Sequence, residues 1–516
     1  MKKQLLKLSL VFGVLTVALL SNAQTRYVDD VFTDIQKTSN IPYDSNQSFN
    51  ILFGSGYPVP AVNANPFIKA GLTCDIYEPA NDSISARPVV LVLHTGSFLP
   101  ILVNRQSTGN KNDSAIVELC TRLAKKGYVA VAVNYRLGWR ASSTIQEVAT
   151  QDLLQATYRG MQDAKNCVRF LRTNASTYGI DTSKIVIGGQ GTGGYISLAF
   201  GSVQKSEEIT DLLKFQRGDF TPMVNIDTLG DWNGLGGLPY FNTPGDAAVS
   251  SAAHMTFNYG GAMGDLSWLE ASSLPVVGMH VVTDIFAPYN TGNVVVPNGP
   301  TVISNASGAG VVIPTANTLG VNNKLNAASF NDAISVKALQ LSGGVKNLYP
   351  FNTTVSVDGA PWEWWDRAAV QAAQGSAFYV YPVPANGRVA DSLSFLTNPL
   401  MTAAKGRAYI DTVVNFVAPR IAVQFDLVNF TGIKETASLT SKLSVYPIPA
   451  TNELNLQLPV VMQSVVLVDM MGREVLTSDV KSMNVKLDIT SLKQGLYFVT
   501  VKTIDGRSAV KRIVIN

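Results

Sequence analysis

The chain has 516 residues, 46% of them hydrophobic and only 15% charged, enough apolar material for a large core and more than one domain, which excludes an intrinsically disordered chain. Its formal net charge of +3 is small for that length, and no Lys/Arg cluster alternates with aromatic residues, which excludes nucleic acid as an expected partner. There are three histidines, none spaced with Cys, Asp or Glu in the manner of metal ligands, so no metal site is expected, and none of the motifs points to a cofactor.

Residues 1–23 carry a basic start, an apolar stretch from Leu8 to Leu20 and Ser21-Asn22-Ala23, which together read as a signal peptide with cleavage before Gln24. No later segment offers some twenty continuous apolar residues, so no transmembrane helix is expected in the mature chain. From Leu72 onward, strand-like and helix-like segments alternate. LTCDIYEP and RPVVLVLH read as strands, and SAIVELCTRLAKKG as a helix capped by Asp113 or Ser114 and stopped at Gly127. YVAVAVNYR is a further strand. QDLLQATYRGMQDAKNCVRFLRT is a long helix with Leu154, Met161, Ala164, Val168 and Leu171 on one face. KIVIGG then enters the run GGQGTGG at 188–194, a strand turning sharply into a helix, the setting in which hydrolases place a serine. Here Gly191 is at its centre.

Two further strands, MTFNYGG and LPVVGMH, follow. The polar stretches near 204–251 and 290–346 show no clear periodicity and read as insertions that cover a pocket. PWEWWD at 361–366 holds three of the six tryptophans, and its Trp362 is a candidate ligand-contacting ring. The segment around TVVNFVAPRIAVQF reads as a helix interrupted near Pro419 that closes the first domain, residues 24–428. Residues 429–441 read as a linker, and 442–516 as short strands divided by Asn, Gly, Asp and Pro turns, a small all-β sandwich. Cys120 and Cys167 fall on apolar helical faces and read as buried thiols; the pairing of Cys74, Cys120 and Cys167 stays open.

Two resemblances follow from these motifs. HTGSF at 94–98, GGQGTGG, and PVVGMHVVTDIFAPY at 275–289 lie in the order of the oxyanion loop, nucleophile turn and acid loop of the α/β-hydrolase fold, and within it the chain resembles the carboxylesterase and lipase branch. The resemblance implies a doubly wound, mostly parallel sheet. It also implies backbone donors at Gly96, Ser97 and Thr192, and a triad acid at Asp284. Yet Gly191 stands at the nucleophile position, and no histidine follows His280 in the chain, so nucleophile and base are both missing from their places. His94 matches the oxyanion-loop histidine, His280 a strand-end histidine, and His254 reads as structural; Thr192 and Ser97 are the alternative hydroxyls. VYPIPATNEL, VDMMGREV and ITSLKQGLYFVTVKTIDGRSAVKRIVIN resemble the C-terminal sorting domain of the type IX secretion system, which implies export machinery as a partner of residues 442–516 and delivery to the cell surface or outside. The expectation is an exported carboxylesterase-like protein that binds a small molecule, whether ester, acid or sugar, without triad catalysis. The alternative is an active ester or amide hydrolase with an unconventional nucleophile.

Overall fold

A computed structural model describes residues 25–295, 301–428, 439–440, 442–469, 473–504 and 508–516. The expected signal peptide and most of the expected linker lie outside the described residues. The chain divides into two compact units, one reaching to Leu427 except for Ala328–Phe330, the other comprising those three residues and the stretch from Val428 onward.

The first unit is built on eight strands: β1 (Ile35–Phe49), β2 (Phe67–Pro79), β3 (Arg87–Leu93), β4 (Val129–Val133), β5 (Ile180–Gln190), β6 (Met255–Tyr259), β7 (Val276–Val281) and β8 (Leu348–Phe351). They lie in the order β1-β2-β4-β3-β5-β6-β7-β8. β1 and β2 are antiparallel to each other, and β2 to β4; all other pairings are parallel. Every residue of β3, β4, β6 and β7 is buried, as the unbroken runs RPVVLVL and VAVAV require of strands covered on both faces. Four helices supply most of the cover: α1 (Ser114–Lys125), α2 (Gln146–Thr173), α3 (Thr192–Ser202) and α4 (Ala403–Gln424). α1 packs against α4, and α2 against α3. This is the mostly parallel α/β sheet expected of an α/β-hydrolase fold.

Several local expectations need correction. The stretch 290–346 is the crossover between β7 and β8: a hairpin of Thr291–Val295 with Thr301–Ser307, then a helix, Ala309–Thr318, that packs on both strands. Parallel neighbours need such a connection. The helix hid in the sequence because AGVVIPTANT is short, rich in small residues and interrupted by Pro314. α4 runs through Pro419 without interruption. A proline there costs about 3 kcal/mol of helix stability, offset by the burial of Phe416, Val417, Ala418, Ile421 and Ala422 around it. Asp113 occupies the N-cap of α1, but its carboxylate does not cap; it accepts from the N–H groups of Gly109 and Asn110 instead.

The stretch 204–251 lies over α2. Gln155, Tyr158 and Gln162 of the helix donate to the carbonyls of Met223, Gly230 and Leu229 at 2.7, 2.9 and 2.8 Å. Under that roof Gln162 is fully buried, while Arg159 is buried as it donates to the Gly138 carbonyl at 2.8 Å. Asp163 also holds Arg136 in an ion pair with both side chains out of solvent.

The second unit is an antiparallel β domain of Ser444–Tyr446, Glu453–Asp469, Glu474–Asp488, Gly495–Thr503 and Ser508–Ile515. Leu454, Leu456, Leu458, Val465, Leu467, Val499, Val501 and Ile513 form its core. Among its strands, Glu453–Asp469 is continuous, with register irregularities after Gln457 and at Met462.

Candidate functional site

The site sits where β3 and β5 end beside each other. GGQGTGG forms the turn because its residues meet other backbone at close range. A Cβ on Gly193 would lie 2.1 Å from the carbonyl oxygen of Leu93, so only glycine lets α3 begin this near β3. Gly191 has φ of 52° and ψ of −115°, a left-handed conformation that side chains seldom adopt. It thus keeps the sharp turn that places a nucleophile in hydrolases of this fold.

The space beside Gly191 is taken by Thr95. A Cβ built on Gly191 would lie 2.3 Å from Thr95 Oγ1 and 3.0 Å from Thr95 Cβ. Thr95 belongs to the HTGSF loop, in which Gly96, Ser97 and Phe98 have φ of 122°, 55° and 55°. The loop is held by Trp139 Nε1, which donates to the Ser97 carbonyl at 2.7 Å, and by the Gly138 N–H, which donates to the Phe98 carbonyl at 2.8 Å. Among the described residues, the N–H groups of Gly96, Ser97 and Thr192 make no hydrogen bond within the fold. Thr192 Oγ1 lies 3.1 Å from Tyr135 Oη, and that phenol donates to the His94 carbonyl at 2.8 Å. Burial pushes the Tyr135 phenol upward, so it offers no base to Thr192.

Each of the three imidazoles makes at least one hydrogen bond within the fold. His94 is fully buried and stacks on Tyr135 with ring centroids 4.5 Å apart; its Nδ1 bonds the Thr95 carbonyl and its Nε2 has no partner. Burial lowers its pKa to about 4, so it is neutral and weakly basic. His280, buried on β7, spends both nitrogens locally: Nε2 faces the Ala287 carbonyl at 3.2 Å, and Nδ1 accepts from the Ala309 N–H at 3.4 Å. His254 Nδ1 accepts from the Ile185 N–H at 3.2 Å, at the middle of β5 and before the elbow.

Asp284 is fixed by its own loop. One carboxylate oxygen accepts from the N–H groups of Phe286 and Ala287 at 2.7 and 3.1 Å, and the other lies 3.4 Å from His280 Nε2. Trp362 is only 1% exposed and wedges between Tyr259 and Phe351, at ring distances of 5.3 and 5.9 Å. Trp364 and Trp365 are buried as well. All three rings of PWEWWD are therefore packing elements.

The residue that sequence reasoning missed is Glu363. Its Oε1 accepts from Gln190 Nε2 at 2.6 Å, directly before the elbow glycine. Burial, together with the charges of Asp284 and Asp358, pushes its carboxyl up to about 7, against the hydrogen bonds of Thr108 and Gln190. A charge between three apolar rings was the available signal: such a group needs a partner when its neighbours bury. Among the described residues no group of three or more His, Cys, Asp and Glu side chains is arranged to hold a metal ion, and no helix is long and apolar enough to cross a membrane.

The sheet order, the glycine elbow and the loop beside it define an α/β-hydrolase-fold domain of the esterase type. Residues 74–263 match the family described as BD-FAE, and residues 444–516 match the Secretion system C-terminal sorting domain. The chain therefore joins an esterase-like hydrolase fold to a type IX sorting tail, which directs it to the cell surface or outside. Neuroligin-2 of Rattus norvegicus and of Homo sapiens are each 31% identical over 154 residues, 29% of this chain. The chain spans 16% of the length of these curated relatives. Among solved structures, the propionate-bound thermophilic esterase of Thermogutta terrifontis aligns at 16% identity with a TM-score of 0.31, covering 57% of this chain and 82% of that one. The apo form of esterase 2 from the same organism aligns at 17% with a TM-score of 0.30, covering 55% and 78%.

Proposed function

We propose that this domain is exported, through a leader at residues 1–23 and the sorting tail, to bind a small acyl or carboxylate-bearing ligand at the elbow without cleaving it. The observation that carries this reading is Thr95 Oγ1 standing 2.3 Å from the Cβ position of Gly191. The nucleophile is absent, and its space is filled. Triad hydrolysis further needs an imidazole to take the hydroxyl proton; His254 and His280 are hydrogen-bonded elsewhere, and burial makes His94, whose Nε2 is free among the described residues, a weak base. The N–H groups of Gly96, Ser97 and Thr192 at the start of α3 supply what attracts a carbonyl or carboxylate oxygen without chemistry. Asp284 acts as a loop-fixing residue in this reading.

A second reading, an active hydrolase, draws on Glu363, whose carboxyl titrates near neutrality beside the elbow and is suited to accept a proton from a loop hydroxyl. A fluorophosphonate probe separates the two. On the binding reading the folded protein stays unlabelled, while butyrate raises its melting temperature in proportion to occupancy. Covalent labelling that disappears on changing Thr192, Ser97 or Thr95 to alanine establishes the hydrolase instead.

A further inference from the structure

Away from the elbow, a cleft of about 280 Å³ opens between the ends of β1 and β2, the first turns of α2 and the roof segment 204–251. Its two walls differ. One is aromatic: Phe67 stands edge-on to Phe49 at 6.2 Å and to Phe241 at 4.9 Å, and Phe53 at the mouth is 49% exposed. The other is polar, with Arg140, Gln151, Asp152 and Gln155.

The polar wall is neutral overall and keeps unused hydrogen-bonding atoms. Arg140 grips Asp152 through Nε at 2.5 Å and Nη2 at 2.8 Å, so the two charged groups that line the cleft cancel, and Nη1 is left over. Gln155 donates to the Met223 carbonyl and keeps its Oε1; Gln151 accepts from Arg217 Nε at 3.0 Å and keeps its amide hydrogens. Donor and acceptor atoms thus share the cleft with aromatic rings, the Arg140 guanidinium lying over the Phe49 ring at 5.6 Å, and its charged lining residues pair with each other. An anion finds its countercharge already taken, and a purely aromatic guest leaves the amides unpaired. A ring with one C–H face for stacking and hydroxyls on its rim satisfies both walls.

We infer that this cleft is a carbohydrate site, taking a pyranose unit of a neutral glycan between Phe67 and Gln155. The site is separate from the elbow and does not depend on how the elbow is read. Calorimetric titration of the full chain with cellohexaose, xylohexaose and maltohexaose, with benzoate and phenol as controls, tests it. At least one hexasaccharide should bind tighter than about 1 mM. Phe241→Ala and Gln155→Ala should each weaken it at least about tenfold, with Phe53→Ala replacing the first if that variant melts early. The inference is overturned if no saccharide binds, if benzoate or phenol binds more tightly than every saccharide, or if the variants leave saccharide affinity unchanged. The fluorophosphonate assay does not involve this cleft, so the two readings fail independently.

Discussion

His94 makes the fold sensitive to acid. Its imidazole has an ordinary pKa of 6.5 when unfolded and about 4 in the folded protein, because burial penalises the cation. The unfolded chain therefore binds more protons between those values. The contribution of neutral His94 is complete above pH 6.5 and is lost as pH falls toward 4. Glu363 has the opposite sign: its carboxyl, raised from 4.5 to about 7, favours folding at low pH, and that contribution fades as pH rises from 4.5 through about 7. Denaturant unfolding at pH 4.5 and pH 7 should show His94→Phe losing less stability on acidification than the parent, by about 2 kcal/mol. Glu363→Gln should raise the melting temperature at pH 8 more than at pH 5; an equal rise at both would mean the carboxyl is not held protonated by its surroundings. At the elbow, Gly191→Ser should cost about 2–5 kcal/mol from backbone strain and overpacking. Thr95→Gly in the same molecule should recover part of that loss, a coupling that a double-mutant cycle measures. The glycine elbow was legible in GGQGTGG because such turns demand glycine locally. Thr95 as its plug was not legible, since the two positions lie 96 apart in the sequence and only the sheet brings them together.

The segment PWEWWD behaves as one packed element. Asn398 Nδ2 donates to the carbonyls of Ala360 and Glu363 at 3.3 and 3.0 Å, Lys405 pairs with Asp358 just before it, and Trp365 Nε1 donates to Asp391 at 2.9 Å, so the segment is tied at both ends. Trp362 then fills the space over Gly260, where a Cβ would lie 2.9 Å from its ring. Trp362→Ala should destabilise the domain by about 3–5 kcal/mol, read as a shift in the urea midpoint with an unchanged slope. A shift under 1 kcal/mol would show that the ring is not the wedge its burial implies. The buried strands were readable as elements because RPVVLVL and VAVAV leave no polar face. The crossover between β7 and β8 was not, because its helix has neither a long apolar stripe nor a clear start signal, and its place is fixed by the two parallel strands it joins.

For the whole molecule, the large unit and the tail carry separate tasks. The tail's alternating burial, as in Gly495–Thr503, closes a core of its own, which is why its strands stood out in the sequence. Removing residues 442–516 in the native host should leave the protein in the cell fraction rather than on the surface or in the medium, as immunoblots of fractionated cultures would report. Normal surface delivery of the truncated chain would refute the role assigned to the tail.

The interlock of Gly191 and Thr95 also bears on ancestry. Restoring a serine first meets a collision, and clearing the threonine first gains no reactive group, while neither step supplies an imidazole. A lineage that once crossed to this arrangement has no single mutation that improves hydrolysis on the way back. On the proposed binding reading, the turn behaves as a ratchet, and selection acting one codon at a time is left to refine recognition.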